Sequence, residues 1–136
     1  MRKFLLASHG TLAQGMLDAV TLILGKLPNV GVMCAYSQQG YDLTKEIESV
    51  ISSLDDGDEL IVITDFFGGS VNNEWMRHLS GGHIYLVAGM NLCMLLELFC
   101  SKEGVEQAIG QAITLSTTNM RYCNPLISAT VENDKF

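Results

Sequence analysis

The sequence predicts an α/β fold, an open, doubly wound and mostly parallel four-stranded sheet with helices on both faces. Short apolar runs alternate four times with segments whose apolar residues recur at a helical spacing. Clusters of glycine, proline, asparagine, aspartate or serine separate these segments. The run Glu59–Thr64 is apolar throughout its middle, as a strand covered on both faces should be.

The first half of the chain supplies three strands and two helices. Lys3–Ser8 is an apolar strand, and Leu12–Leu27 follows it with a helical apolar spacing that ends before a proline and an asparagine. Val30–Tyr36 is the second strand. Asp42–Leu54 repeats the helical spacing, with Asp42 as the expected N-cap. Three aspartates and a glycine then form the turn before the third strand.

The second half continues the alternation. It predicts a short helix, a fourth strand and two further helices, at Ser70–Leu79, His83–Ala88, Asn91–Ser101 and Val105–Ile113. The tail from Thr114 is the least regular part of the chain. Leu126–Val131 is a candidate for one additional antiparallel strand, which we expect at an edge because Pro125 cannot donate a hydrogen bond to a strand ladder.

Length and composition limit the classes of function. We expect one domain over residues 1–136, because 136 residues is close to the commonest domain size. The net charge of −7 argues against a nucleic-acid partner, whose phosphates require a basic face, and against anchoring on anionic lipid. The apolar runs are too short to span a bilayer, so no direct membrane insertion is expected. The four cysteines show no metal-ligand spacing.

The residues that follow the strands suggest a chemical function, because ligands of open parallel sheets bind beyond the carboxyl ends of the strands. His9 follows the first strand and Asp65 the third. A carboxylate that accepts the proton of one ring nitrogen leaves the lone pair of the other nitrogen free to attack. Gly68 and Gly69 permit a tight turn, and Ser70 opens a helix whose amides can receive phosphate oxygens. Together these residues supply what phosphoryl transfer requires.

Each of these residues also has an ordinary structural interpretation. A histidine after a strand is more often a hydrogen-bonded structural residue, Asp65 can close a turn, and Ser70 is a good N-cap. Gly10, Gly68 and Gly69 are common turn residues. The structural interpretation predicts that the His9 and Asp65 side chains lie beyond hydrogen-bonding distance, about 3.2 Å. The other two histidines fall at the opposite edge of the sheet and are predicted to be structural or solvated.

Other known motifs fit poorly. Gly10 and Gly15 have the separation of the P-loop glycines, but Met16 and Leu17 stand where that motif requires lysine and serine or threonine. No G-x-G-x-x-G opens the first helix, which argues against a dinucleotide site.

Three motifs, in this order, closely resemble the mannose-family IIA component of the bacterial phosphoenolpyruvate-dependent sugar phosphotransferase system. They are Ala7-Ser8-His9-Gly10, Thr64-Asp65-Phe66-Phe67-Gly68-Gly69-Ser70 and Gly89-Met90-Asn91-Leu92-Cys93-Met94-Leu95. The resemblance extends from Lys3 to about Ile113. It implies that His9 is the phosphorylated histidine, that Asp65 is its partner carboxylate, and that Gly69 and Ser70 form the phosphate-binding turn. We expect Gly10 and Gly68 at the same site.

The resemblance also implies the partners of the protein. In that family a small histidine phosphocarrier protein donates the phosphoryl group, and a IIB component accepts it before it reaches an incoming sugar. Neither a metal nor a cofactor is implied. We expect the acceptor to be a separate polypeptide and the protein to be cytoplasmic, peripheral to a membrane sugar permease through its partners. The family also implies a homodimer that exchanges a C-terminal antiparallel strand.

Two departures from the family pattern affect the partner and sugar assignment more than the phosphorylation. Val71 stands where the family usually has proline after the serine, and Cys93 stands where it often has proline. Two alternative functions remain beside the sugar-transport role. One is a phosphotransfer subunit for a dihydroxyacetone kinase, and the other is a regulatory module of the same fold that does not pass the phosphoryl group on.

Overall fold

The computed structural model describes residues 1–127, and four strands form one parallel sheet within them. The strands are β1 Arg2–His9, β2 Val30–Ala35, β3 Glu59–Thr64 and β4 Ile84–Ala88. Their order across the sheet is β2-β1-β3-β4, and each neighbouring pair is parallel. The predicted fold class, with four parallel strands, is therefore confirmed.

The strand order creates one place where a ligand site is expected. From β1 the chain moves to β2 on one side and then returns to β3 on the other side. The carboxyl ends of β1 and β3 therefore diverge into connections on opposite sides, which is the topological switch point of an open sheet. The register pairs Ala7 with Thr64, so His9 at the end of β1 and Asp65 directly after β3 lie at the same edge of the sheet.

Within residues 1–127, five helices of seven residues or more connect the strands or follow the last one. They are α1 Leu12–Leu24, α2 Leu43–Ser52, α3 Ser70–Met76, α4 Leu92–Cys100 and α5 Val105–Asn119. The helices α1, α4 and α5 pack together over one face of the sheet, and α2 and α3 pack over the other. Among the described residues, no helix combines the length and apolar character that crossing a membrane requires.

The sheet separates two hydrophobic cores. Phe4 and Leu6 of β1 belong to the core under α1, α4 and α5, whereas Leu5 and Ala7 belong to the core under α2 and α3. This division follows from the alternation of side chains along a strand. Burial on both faces also explains why the middle of the strand is apolar without interruption.

Three helices end at least three residues from their predicted ends, and one of them is α3, which ends at Met76 and not at Leu79. The helix α1 ends at Leu24, three residues early, because Gly25 adopts a φ of 85° and its amide donates to the Thr21 carbonyl at 2.9 Å. The helix α5 continues six residues beyond its predicted end, to Asn119. No glycine or proline interrupts residues 114–119, which are almost all exposed, so the helix continues there without an apolar face that could have predicted it.

The predicted additional antiparallel strand is not formed at its first two residues. Leu126 and Ile127 lie in a short helical turn, 124–127, in which the Leu126 amide donates to the Cys123 carbonyl at 2.9 Å. Pro125 favours this arrangement because its fixed φ suits the first turn of a helix. The remainder of that predicted strand lies outside the described residues.

A buried carboxylate joins the start of β1 to the turn before β3. The Asp58 side chain is only 6% exposed, and its Oδ2 lies 2.8 Å from Lys3 Nζ. It also accepts a hydrogen bond of 2.9 Å from the Asp55 amide. The hydrogen bond from Lys3 and that from the Asp55 amide lower the pKa of Asp58 to about 2.

We expect acid to destabilise the fold through Asp58. Its pKa is lower in the folded than in the unfolded chain, so the unfolded chain binds the proton more tightly. The stabilisation is present above the usual aspartate pKa of 3.8 and is lost as the pH falls towards 2. Urea unfolding over this pH range should show a decreasing free energy of unfolding, and Asp58→Asn should flatten this dependence.

The matched control for this prediction is Asp56→Asn. Asp56 lies in the same turn, is exposed, and has no side-chain hydrogen bond or ion pair within the described part of the chain. It should keep the wild-type dependence on pH. An unchanged dependence in Asp58→Asn would contradict the assignment.

Candidate active site

The side chains of His9 and Asp65 meet at the switch point between β1 and β3. Asp65 Oδ2 accepts a hydrogen bond from the His9 backbone amide at 2.8 Å and lies 2.8 Å from His9 Nδ1. The other oxygen, Oδ1, accepts from the Phe66 amide at 3.1 Å. The purely structural interpretation required these two side chains to lie apart, and this geometry contradicts it.

The two side chains differ in exposure, as a nucleophile and its orienting group should. The Asp65 side chain is 8% exposed, whereas the His9 side chain is 41% exposed. Burial raises the pKa of Asp65, but the hydrogen bonds from the His9 amide and ring, together with the Phe66 amide, hold that pKa below its ordinary value. The carboxylate is therefore ionised at neutral pH.

An ionised Asp65 determines which nitrogen of His9 can react. A carboxylate without a proton can only accept, so the proton of the neutral imidazole lies on Nδ1 and the lone pair lies on Nε2. Nε2 faces the Ser70 side chain, with 3.2 Å between Nε2 and Ser70 Oγ. The serine hydroxyl therefore donates to Nε2, and an electrophile would approach the ring on this side.

Ser70 reaches His9 because the loop after β3 turns back sharply into α3. Gly68 adopts a φ of 87°, a left-handed conformation that glycine adopts without steric cost. Ser70 and Val71 are the first two residues of α3, and the hydrogen bond from the Asn73 amide to the Gly69 carbonyl closes its first turn. The amides of Ser70 and Val71 precede that bond, so both remain available for an anion.

Gly69 has a steric function that its position in the turn did not reveal. A Cβ at this position would lie 2.7 Å from two carbons of the Phe66 ring. The Phe66 ring is half-exposed and lies beside His9, with 5.6 Å between the ring centroids and an interplanar angle of 32°. Gly69 therefore leaves space for the aromatic ring that flanks the histidine.

We expect Gly69→Ala to disturb His9 with little effect on stability. The exposed Phe66 ring can move away from the new methyl group, so the free energy of unfolding should change by no more than about 0.5 kcal/mol. Because the ring moves, the NMR signals of the His9 imidazole should shift. Gly110→Ala is the control, since Gly110 lies in α5 with no atom within 4 Å of the added Cβ. Unshifted His9 signals in Gly69→Ala would contradict this role.

Gly10 shapes the other loop of the site. It adopts a φ of 58°, and its amide donates to the Ala35 carbonyl at 2.7 Å. The Gly10 amide is therefore already hydrogen-bonded to β2. The function of Gly10 is to allow the left-handed turn of the loop after His9. Ser8 was not predicted as part of the site. It is fully buried, its Oγ accepts from the Ala13 amide at 2.8 Å, and it thereby fixes the start of α1 directly beside His9.

Two further features were not apparent in the sequence. The Tyr36 hydroxyl lies 3.0 Å from Ser70 Oγ, although β2 is separated from β3 by β1. Beneath the site, the buried Thr64 hydroxyl donates to Asn72 Oδ1 at 2.7 Å and joins the end of β3 to α3. Asn72 follows Val71, so a buried hydrogen bond and the buried Val71 side chain position this helix where the family usually has a proline.

The other two histidines are not part of the site. His78 Nδ1 lies 2.9 Å from the Glu74 carbonyl oxygen at the end of α3, and His83 Nδ1 lies 3.2 Å from that of Gly81 before β4. Both are bonded to the backbone within their own segments.

Comparison with known proteins identifies the family. Residues 3–115 match the model of a family described as the fructose IIA component of the phosphotransferase system. The fold is similar to that of a candidate permease of the phosphoenolpyruvate-dependent sugar phosphotransferase system from Klebsiella pneumoniae, with a TM-score of 0.88 and 43% identity over 93% of each chain.

Two more distant structures share the fold. A IIA protein associated with the fucose utilization operon of Streptococcus pneumoniae has a TM-score of 0.75 and 26% identity over 93% of this chain and 96% of its own. A mannose/sorbose-specific IIA subunit from Enterococcus faecalis has a TM-score of 0.80 and 21% identity over 89% of this chain and 93% of its own. The family match over residues 3–115 and the 43% identity to the Klebsiella protein show that this chain belongs to the mannose- and fructose-type IIA components of the bacterial sugar phosphotransferase system.

Proposed function

We propose that this protein is a phosphocarrier that accepts a phosphoryl group on Nε2 of His9 and passes it to a separate IIB component during sugar uptake. The observation that carries the proposal is the alignment of Asp65, His9 and Ser70. One ring nitrogen is bonded to an ionised carboxylate at 2.8 Å, and the other faces a hydroxyl at 3.2 Å. This arrangement makes a neutral histidine a directed nucleophile.

The transfer proceeds by displacement at phosphorus. The Nε2 lone pair forms a bond to the phosphorus of a phosphohistidine on the donor, the small histidine phosphocarrier protein. The bond between that phosphorus and the donor nitrogen breaks, and its electron pair returns to the donor ring. The His9 ring gains positive charge, which the Asp65 carboxylate stabilises across the 2.8 Å contact. Ser70 and the first amides of α3 hold the phosphoryl oxygens.

The surroundings of His9 support a protein as donor and acceptor. The imidazole is 41% exposed, the Phe66 side chain beside it is 53% exposed, and that of Phe67, the next residue in the chain, is 79% exposed. An open site bordered by exposed aromatic rings suits docking of another protein, because aromatic residues are enriched in protein interfaces. A phosphohistidine presented by a partner can approach an imidazole that is exposed to this extent.

The family leads us to three further proposals. Residues 1–136 form one IIA domain, the protein is cytoplasmic and peripheral to a membrane sugar permease through its partners, and it forms a homodimer. Light scattering tests the last of these directly. A mass of two chains supports the homodimer, and a mass of one chain overturns it.

Intact mass spectrometry tests the phosphocarrier role. The protein is incubated with phosphoenolpyruvate, the first enzyme of the system and the histidine phosphocarrier protein. We expect a gain of one phosphate that is acid-labile, absent in His9→Ala and retained in His83→Ala. Absence of the gain in a folded protein, with a known IIA protein labelled alongside, would overturn the proposal.

A second step distinguishes the alternative functions. Labelled protein is mixed with IIB components, and loss of the label from His9 with its appearance on IIB supports the sugar-transport role. Transfer only to a dihydroxyacetone kinase would assign the protein to that related branch. Stable labelling without transfer to either acceptor would favour a regulatory module.

A further inference from the structure

Tyr36 adopts a left-handed backbone conformation that is unusual for a tyrosine. Its φ is 63°, and among the described residues it is the one non-glycine residue with a positive φ. Bulky side chains rarely adopt this region because the left-handed backbone crowds the Cβ atom. Conformations of this kind persist where surrounding contacts hold them, and they cluster at functional sites.

The contacts around Tyr36 hold this conformation. The preceding residue, Ala35, accepts the Gly10 amide at 2.7 Å, and the following residue, Ser37, donates its hydroxyl to the Cys34 carbonyl at 2.7 Å. The Tyr36 ring packs edge-on to Tyr41, with 5.9 Å between the ring centroids and an angle of 67°. Both neighbours of Tyr36 are therefore fixed, and its ring is supported from one side.

This conformation carries the Tyr36 side chain across the end of the neighbouring strand. Tyr36 follows β2, His9 ends β1 and Ser70 follows β3, so His9 lies between the other two at this edge of the sheet. The Tyr36 ring passes the His9 ring with 5.6 Å between the centroids. The Tyr36 hydroxyl then reaches Ser70 Oγ at 3.0 Å.

The direction of the hydrogen bonds follows from Asp65. In the neutral imidazole, the ionised carboxylate accepts the proton of His9 Nδ1, so Nε2 accepts and the Ser70 hydroxyl donates to it. A serine hydroxyl has one proton, so Ser70 Oγ can only accept from Tyr36. The four side chains therefore form one directed chain, from the Tyr36 hydroxyl through Ser70 and His9 to Asp65.

We propose that Tyr36 is a positioning residue for the proposed phosphoryl transfer, which donates its hydroxyl proton to Ser70 Oγ and thereby orients the Ser70 hydroxyl onto Nε2 of His9. The inference rests on the proposed function and extends the site to a third strand end. Without the Tyr36 hydroxyl, the Ser70 side chain can rotate away from Nε2, and the hydroxyl that is to hold a phosphoryl oxygen beside His9 is no longer fixed.

The test compares the initial rates of His9 phosphorylation in Tyr36→Phe and wild type. Phenylalanine keeps the ring that packs against Tyr41 and His9 and removes only the hydroxyl. We expect the rate to fall about three- to tenfold, as for the loss of one hydrogen bond. Tyr41→Phe is the matched control, because Tyr41 touches the Tyr36 ring without contacting Ser70, and its rate should equal that of wild type.

A double variant separates positioning from a general structural effect. If Tyr36 acts through Ser70, then Tyr36→Phe should cause no further loss in a Ser70→Ala background. Losses that multiply in the double variant, or a Tyr36→Phe rate equal to wild type, would overturn the inference.

A measurement without phosphorylation keeps this inference distinct from the proposed function. The ¹⁵N NMR signal of His9 Nε2 reports the hydrogen bond from Ser70 in the free protein. It should shift in Tyr36→Phe and stay unchanged in Tyr41→Phe. If wild-type protein were not phosphorylated at all, the carrier proposal would fail, whereas an unshifted Nε2 signal in Tyr36→Phe would overturn the hydrogen-bond chain itself.

Discussion

Asp65→Asn is expected to lower the rate of His9 phosphorylation by about 10²–10⁴-fold and to leave the fold intact. The asparagine side chain has nearly the same shape, so it can still accept the His9 amide. It carries no charge, however, and therefore cannot stabilise the positive ring that forms when Nε2 attacks. Its NH₂ group can also donate to Nδ1, which would place the ring proton on Nε2 and block the nucleophile.

Initial rates from intact mass spectrometry, at equal concentrations of the phosphocarrier donor, measure this effect. Asp56→Asn removes the same charge from an exposed turn at the other end of β3, so its rate should match that of wild type. Circular dichroism of both variants confirms folding. A loss of less than about tenfold in Asp65→Asn would show that the carboxylate does not orient or stabilise His9.

Trp75→Ala is expected to destabilise the protein by about 3–5 kcal/mol, the usual cost of removing a fully buried tryptophan. Trp75 is 0% exposed and anchors α3, a helix of seven residues, to the core between α2 and the sheet. Because the same helix begins with Ser70, the loss of its anchor should also loosen the Ser70 hydroxyl beside His9. Urea unfolding followed by circular dichroism measures the stability, since Trp75 is the only tryptophan of the sequence.

Two further variants in the same helix serve as comparisons for Trp75→Ala. Met76→Ala changes a half-exposed neighbour and should alter the free energy of unfolding by about 0.5 kcal/mol at most. Trp75→Phe keeps an aromatic ring and removes the indole N–H, which has no hydrogen-bond partner among residues 1–127, so it should cost less than Trp75→Ala. A loss below about 1.5 kcal/mol in Trp75→Ala would mean that α3 is held mainly by other contacts.

The sequence predicted the strands well because burial on both faces of the sheet requires a short, uninterrupted run of apolar residues, which is visible in the sequence. The observed bounds of β3 equal the predicted ones, and Asp42 caps α2 as expected, with its side chain accepting from the Lys45 amide. The ends of α1, α3 and α5 were less accurate. A helix end can depend on one residue, such as Gly25, and an exposed stretch such as 114–119 of α5 carries no apolar spacing that marks it as helical.

Part of the candidate site was predicted because its residues also follow a local sequence pattern. His9 and Asp65 were recognised because each directly follows an apolar strand, which is a local pattern. Tyr36 was placed at the end of a strand and given no function, because nothing near it in the sequence indicates a partner 34 residues away. The pairing of Thr64 with Asn72 was missed likewise, since burial of both side chains depends on how α3 packs.

By itself, the sequence determined the types of the elements, their order along the chain and the residues at the strand ends, since these depend on interactions between near neighbours. Only the tertiary structure decided that β1 lies between β2 and β3. That order places His9 between Tyr36 and Ser70, with Nδ1 bonded to Asp65 and Nε2 facing the Ser70 hydroxyl. These contacts join residues that are distant in the sequence. Strand order, register and packing bring their side chains to hydrogen-bonding distance.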